Sequence, residues 1–234
     1  MERIIVFDMD ETLGTFIQIH VFISAIVKLI PSLDHTTEFC KLMDLFSIVQ
    51  RPYIVNILKY ACSQRDNGNI DRIVLYTNNR GTPLWVSHIA SFFERQTKCK
   101  IFDDCIYAYN IDGRIIDNRR TTNDKTVSDL YRCLNINTKC DVCFIDDQYH
   151  ARMVHPDVTY LQIKPYNYAM SYREMALLYH NRYPLYNKKK FIEDITTIIE
   201  YSGHRVHTTS RRQFQGHIAT SENLRECIRK FCNR

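Results

Sequence analysis

Glycine and proline are both scarce, six of each in a chain of 234 residues. So few turn-formers leave little room for long flexible linkers, and no internal repeat or low-complexity segment is present. Nor is there an apolar run fit to cross a bilayer. The most apolar window, 16–30, holds Gln18, His20, Ser24 and Lys28; it is too short and too polar to span one, and reads as a buried helix. No signal-peptide pattern precedes the first apolar run, which starts at residue 3 and meets an acid at position 8. Cysteine is not scarce, but its nine residues are an odd number scattered without a small-domain framework. They read as reduced thiols in a cytoplasmic or nuclear protein with no membrane partner.

Hydrophobic residues make up 45% of the chain, ample for a packed core, and the length suits one generous domain or a domain with an appendage. The net charge of +5 is unevenly placed. Residues 181–234 carry eleven Lys and Arg against five Asp and Glu, +6, whereas the remainder carries twenty against twenty-one, −1. The basic character therefore sits in the C-terminal quarter.

What the chain does have is organised around Arg3-Ile4-Ile5-Val6-Phe7-Asp8-Met9-Asp10-Glu11-Thr12-Leu13. The apolar run has the length of a buried parallel strand, and it ends in two carboxylates spaced two apart. In open α/β sheets that carboxyl edge is where ligands bind. Two acids there repel each other unless a cation sits between them or one holds a proton. A Mg²⁺ site is the first expectation, since that ion prefers carboxylate, carbonyl and water oxygens.

Further along, the spacing predicts helices over 16–30 and 38–49, with Phe39, Leu42, Met43, Phe46 and Val49 on one face of the second. Pro52 suits the first turn of another, which carries Ile54, Ile57 and Leu58. Asp66-Asn67-Gly68-Asn69 is a turn. A second buried strand, Arg72-Ile73-Val74-Leu75-Tyr76, ends in Thr77-Asn78-Asn79, and a helix over 83–95 follows. Residues 100–117 read as extended chain with a hairpin turning at Asp112-Gly113. Asn123-Asp124 is placed to cap a helix that carries Lys125, Val127, Leu130, Tyr131 and Leu134. A third buried strand, Val142-Cys143-Phe144-Ile145, ends in Asp146-Asp147, and a fourth covers 158–163. Helices near 168–182 and 190–201 precede a polar, basic stretch over 202–220 and a short amphipathic helix over 221–231. Strand and helix alternate, which predicts an α/β fold with a doubly wound parallel sheet.

Three apolar strands thus deliver Asp8 and Asp10, Thr77 and Asn78, and Asp146 and Asp147 to their C-terminal ends, with Lys125 between the second and third. A phosphoryl-transfer site needs these types: a carboxylate nucleophile, an acid/base group, metal-holding carboxylates, neutral donors and a cation.

In that order the residues resemble the four motifs of the haloacid dehalogenase-like (HAD) phosphohydrolases. The resemblance implies a HAD-like Rossmannoid sheet and assigns roles. Asp8 attacks phosphorus to form an aspartyl-phosphate, and Asp10 serves as acid and then base. Mg²⁺ sits on Asp8, the Asp10 carbonyl, Asp146 and Asp147. Thr77 and Asn78 donate to phosphoryl oxygens, and Lys125 offsets their charge; Glu11 is a supporting residue. Asp-x-Asp-Glu-Thr-Leu, the Arg51-Pro52 helix start, Lys125 followed by Asp129-Leu130, and Phe-Ile-Asp-Asp before His155-Pro156-Asp157 are similar to the FCP/SCP (NLI-interacting-factor-like) branch. That branch implies a phosphatase of the RNA polymerase II C-terminal domain and other phosphoproteins, over roughly residues 1–180. Two departures stand out. Asn78-Asn79 replaces the usual Ala-Ser, and Asp103-Asp104 stands where the branch carries an Arg, an acidic pair expected near the mouth to disfavour a doubly phosphorylated peptide.

The expected organisation is a domain over 1–182, with a helical insertion at about 14–70, and a basic, mainly helical extension over 183–234. Cys140-x-x-Cys143 lacks a second pair, so a buried thiol is favoured over zinc. His150 and His155, close behind Asp147, could touch a substrate, but a surface or structural role is the expected one. Lys188-Lys189-Lys190 and Arg211-Arg212 read first as solvated surface, with a nucleic-acid contact as the alternative. The expected function is a Mg²⁺-dependent phosphoserine/phosphothreonine protein phosphatase acting on a phosphorylated protein or peptide. Its rivals are a HAD phosphatase for nucleotides, small phosphoesters or polynucleotide ends, and an inactive phosphate-binding scaffold.

Overall fold

Ile4, Ile5, Val6 and Phe7 are all fully buried, so both faces of the first strand are covered, as a central parallel strand requires. The computed structural model describes residues 1–206 and 209–234. Its main sheet comprises β1 (Glu2–Phe7), β2 (Arg72–Tyr76), β3 (Asp104–Ile106), β6 (Cys140–Asp146) and β7 (Val158–Gln162). The order is β3-β2-β1-β6-β7, with every neighbouring pair parallel. Between β3 and β6 in sequence lies a small antiparallel hairpin of β4 (Asn110–Ile111) and β5 (Arg114–Ile115). Asp112 and Gly113, both at positive φ, make its turn, as the Asp-Gly pair predicts. The sheet's strands run outward in opposite directions from β1 and β6, so the order reverses between those two. In a doubly wound, Rossmann-like fold a crevice opens at the carboxyl end of such a pair.

The helices are α1 (Ile17–Leu29), α2 (His35–Leu45), α3 (Ile54–Asp66), α4 (Pro83–Thr97), α5 (Val127–Cys133), α6 (Tyr172–Arg182), α7 (Lys188–Tyr201) and α8 (Arg211–Cys232). Side chains set several of their starts: Asp34, Thr82, Thr126, Ser171 and Asn187 each accept a backbone N–H from the first turn of the helix that follows. Alternate residues of the central strands, Ile4, Val6, Val74, Tyr76, Val142 and Phe144, pack with Leu130, Cys133 and Leu134 from α5 and its end.

The chain divides into two compact units. One holds residues 1–14, 51–166 and 216–234; the other holds 15–50 and 167–215. The first contains the sheet with α3, α4 and α5, and its C-terminal segment is fastened through Arg3, whose guanidinium donates to the carbonyls of Phe231 and Cys232 and lies over the Phe231 ring. In the second, the Phe22 ring meets Phe46 and Tyr179 edge-on. There the buried carboxylate of Glu38 accepts from the Tyr179 hydroxyl (2.5 Å) and Lys41 Nζ (2.7 Å). These boundaries differ from the expected ones. The 14–70 stretch is divided because α3 buries Ile57 and Leu58 with the sheet-bearing unit, and the 183–234 stretch is divided between both units.

Several elements depart from expectation. The helix carrying Leu130 starts after Thr126 rather than at Asn123-Asp124, because the Thr126 hydroxyl accepts the Asp129 N–H at 2.9 Å; Lys125 precedes it. Pro52 lies outside α3, whose N-cap is Tyr53 at φ 61°. The strand over 158–162 is half-buried at the edge of the sheet, not a buried strand. The last helix begins at Arg211, ten residues earlier than the apolar spacing predicts. His207 and Thr208, within the polar stretch over 202–220, lie outside the described residues. Among the described residues no helix is long and apolar enough to cross a membrane.

Candidate metal centre

The last rung between β1 and β6 is the Asp8 N–H donating to the Ile145 carbonyl at 2.9 Å, so Asp8 leaves the sheet directly beside Asp146. The chain then turns tightly. Glu11 takes a positive φ of 57°, its N–H bonds Gly14 O at 2.7 Å, and Leu13 N bonds Met9 O at 2.8 Å. Arg51 holds this turn from behind. Its buried guanidinium donates to the carbonyls of Thr12 (2.6 Å), Glu11 (2.6 Å) and Lys164 (2.8 Å). Burial pulls its pKa down to about 10, partly offset by Asp147, Tyr166 and Glu11.

Asp8, Asp146 and Asp147 are all buried, and each offers a carboxylate oxygen within 4.8 Å of the other two. Among the described residues they form the one group of His, Cys, Asp and Glu side chains placed to share a metal ion. Lys125 Nζ donates to Asp8 Oδ1 at 2.5 Å and to Asp146 Oδ2 at 2.7 Å. Its ammonium also sits over the Tyr76 and Phe144 rings, at 5.6 and 5.8 Å. Asp146 further accepts the Gln148 N–H at 2.8 Å, and His150 Nε2 lies 3.3 Å from its Oδ2. Thr12 Oγ1 is 3.4 Å from Asp147 Oδ1.

The electrostatics follow from this crowding. Burial pushes Asp8 up to about 7; Lys125 opposes the rise, while Asp146 and Asp10 add to it. Burial raises Asp10, against the hydrogen bond from Asn79 Nδ2 to its Oδ2 at 2.7 Å. Burial and the Asp146 charge raise Asp147. At Asp146 burial works upward too, but His150, Lys125 and the Gln148 N–H outweigh it and hold the carboxyl below its usual range. Burial disfavours the charged form of Lys125, yet Asp8 and Asp146 more than compensate, so its pKa rises. Burial is the main reason that Asp8 is raised to about 7, and the neighbouring Asp146 and Asp10 carboxylates add to it. The cluster has the donors and the charge to hold a metal ion.

Asp8, Asp10, Thr77, Asn78, Lys125 and Asp146 line a single cavity of about 120 Å³ with Asn79, Gln148 and His150. Every residue predicted for the site lies in that wall except Asp147, which joins through the carboxylate cluster. Thr77 is placed by its N–H bond to Ile106 O at 2.9 Å, and its hydroxyl oxygen accepts the Asn79 N–H at 3.0 Å.

Two expectations are corrected. His150 belongs to the cavity wall, whereas His155 stays outside it and accepts the Asp157 N–H at 3.2 Å. Asp103 and Asp104 do not line the cavity: Asp103 accepts from Arg65 (2.9 Å) and the Ile73 N–H (2.8 Å), and Asp104 from Arg119 (3.0 Å). Asn79, Gln148 and the buried Arg120 escaped the sequence reading. The signal available for Asn79 was its place beside the predicted pair Thr77 and Asn78. All nine cysteines are free, and Cys140 and Cys143 are buried in β6. Comparison with protein families, curated proteins and solved structures found no match for this chain.

Proposed function

We propose that the protein is a Mg²⁺-dependent phosphomonoester hydrolase that works through an aspartyl-phosphate on Asp8 and acts on phosphoserine or phosphothreonine in proteins. The observation that carries the chemistry is the ammonium of Lys125 bonded at once to Asp8 and Asp146 in a cavity that also holds Asp10 and Thr77. The choice of a phosphoprotein rests on the resemblance of the motifs to the FCP/SCP branch.

Oxygen donors on three carboxylates suit a hard cation such as Mg²⁺, which would be held by Asp8, Asp146 and Asp147. When bound, it would offset carboxylate repulsion and polarise the phosphoryl group. The Asp8 carboxylate then attacks phosphorus, forming a new P–O bond as the ester P–O bond breaks. Asp10, whose Oδ2 is tied to Asn79, has Oδ1 left to give its proton to the departing oxygen. It then takes a proton from the water that cleaves the acyl phosphate, releasing phosphate and restoring Asp8. Thr77 accepts from Asn79 through oxygen, so its own O–H remains a donor for a phosphoryl oxygen. Lys125 neutralises the charge that gathers on the transferring group.

Asp8→Asn is expected to lower kcat on an aryl phosphate by about a thousandfold or more while the protein still melts cooperatively. Turnover by that variant at the wild-type rate rules the mechanism out. Phosphopeptides, nucleotides and phosphorylated oligonucleotides compared on the wild type decide the substrate class.

A further inference from the structure

Arg120 is as deeply buried as Lys125, yet the proposed reaction gives it nothing to do. Its Nη1 donates to Asn78 Oδ1 (2.7 Å) and Tyr107 O (2.8 Å), and its Nη2 donates to Asn123 O (3.2 Å) and Asp124 O (2.9 Å). Those acceptors lie on three separate loops: after β2, after β3, and immediately before Lys125. The guanidinium lies over the Tyr76 ring at 4.9 Å, the ring that Lys125 also covers, and the Tyr76 hydroxyl accepts the Thr126 N–H at 3.2 Å. Asp129 Oδ2 stands 3.9 Å from Arg120 Nε, and neither atom has a hydrogen-bond partner.

Asp129 supplies a buried counter-charge at 3.9 Å, but all four hydrogen bonds of the guanidinium go to neutral oxygens on the loops around the cavity, more than pairing with Asp129 requires. Only the planar fork fixes four acceptors at once. Asn78 lies where the acidic cavity meets a second cavity of about 470 Å³, lined also by Arg80, Asn110 and Asn123. Which end of its amide faces the ligand therefore matters to any substrate.

We infer that Arg120 is a positioning residue for the bound phosphoryl group. By holding Asn78 Oδ1 it leaves the Asn78 NH₂ to donate to that group, and by holding the 123–124 backbone it fixes Lys125 over Asp8 and Asp146. The inference rests on the proposed reaction for its substrate, but the clamp itself is measurable without turnover.

The test uses the full chain with Arg120→Met and Arg120→Lys. Three measurements are made: melting, the affinity for inorganic phosphate with Mg²⁺ by calorimetry, and the side-chain amide signals of Asn78, assigned with Asn78→Ala. Arg120→Met strips the buried Asp129 of its counter-charge and is expected to melt lower; as a folded protein it moves the Asn78 signals and weakens phosphate binding about tenfold. KM for an aryl phosphate rises by a similar factor through Asn78, and kcat falls as well because Lys125 loses the support of the 123–124 backbone. Asn78→Ala adds little in the Arg120→Met background, because the loss of the guanidinium has already released the Asn78 amide from its fixed orientation. Arg120→Lys falls between the two, and it carries the same readings if the Met variant does not fold. Unmoved Asn78 signals, or additive losses in the double variant, overturn the inference. A wild type that neither binds phosphate nor hydrolyses esters sinks the phosphatase reading, and the Asn78 signals alone then decide for or against the clamp.

Discussion

Asn79 has both ends of its side-chain amide committed: Oδ1 accepts the Gly81 N–H at 2.7 Å, and Nδ2 donates to Asp10 Oδ2 at 2.7 Å. The first bond fixes the sense of the second, since the amide cannot flip without losing both. Gly81 is needed here for space, because a Cβ would stand 2.7 Å from Asn79 Oδ1 and 3.1 Å from Trp85 Cδ1. The nearer atom ends a short side chain that can swing away, so Gly81→Ala is expected to fold at a cost of about 1 kcal/mol and to draw Asn79 off Asp10. Asp10 then loses the one hydrogen bond that counters its burial, and its pKa rises further. Gly81→Ala should therefore reproduce the kinetic defect of Asn79→Ala, a fall in kcat of about tenfold, and combining the two should add nothing. Steady-state kinetics of the three variants checks this, and full additivity would refute it.

At the scale of elements, α5 has only seven residues and depends on its first turn. Thr126→Ala removes the hydroxyl that caps Asp129 N and is expected to cost about 1 kcal/mol in urea denaturation. The residue before it is Lys125, so the same change should also weaken phosphate binding; an unchanged unfolding midpoint would count against the cap. This element also marks where sequence reading stops. The ends of β1, β2 and β6 were legible because an apolar run that stops at polar residues identifies both the strand and the polar end that lines the cavity. The helix start was not, because Asn123, Asp124 and Thr126 are all competent caps and only the backbone selects one. The first half of α8 stayed hidden because Arg211, Arg212 and Gln213 lead into it without apolar spacing. Arg120 was illegible, and His150 was legible only as the less expected substrate contact, for a related reason. An arginine in a polar loop and a histidine behind Asp147 acquire their roles from where the loops fold back, which no local pattern encodes.

For the molecule as a whole, the acidic cluster ties stability to pH and to metal. Asp8 keeps its proton to about 7 in the fold, against an ordinary value of 3.8. Between those values the folded protein binds more protons than the unfolded chain, so in the absence of metal this group's contribution falls as pH rises through the window. Asp146 runs the other way: its lowered pKa supplies stability that is lost only as pH drops below the ordinary carboxylate range, outside this window. A divalent cation must displace the Asp8 proton to bind, so its apparent affinity should climb about tenfold per pH unit below 7 and level off above. Stabilisation by a ligand grows as the logarithm of its concentration over Kd, reaching about 2.7 kcal/mol at a hundredfold excess. Millimolar Mg²⁺ should therefore raise the melting temperature clearly at pH 7.5 and hardly at pH 5.5, and the gain should vanish in Asp146→Asn with Asp147→Asn. Melting curves at the two pH values, with Mg²⁺ and with chelator, make the comparison. Equal gains at both, or a gain that survives the loss of both carboxylates, would mean that the cation binds somewhere other than beside Asp8.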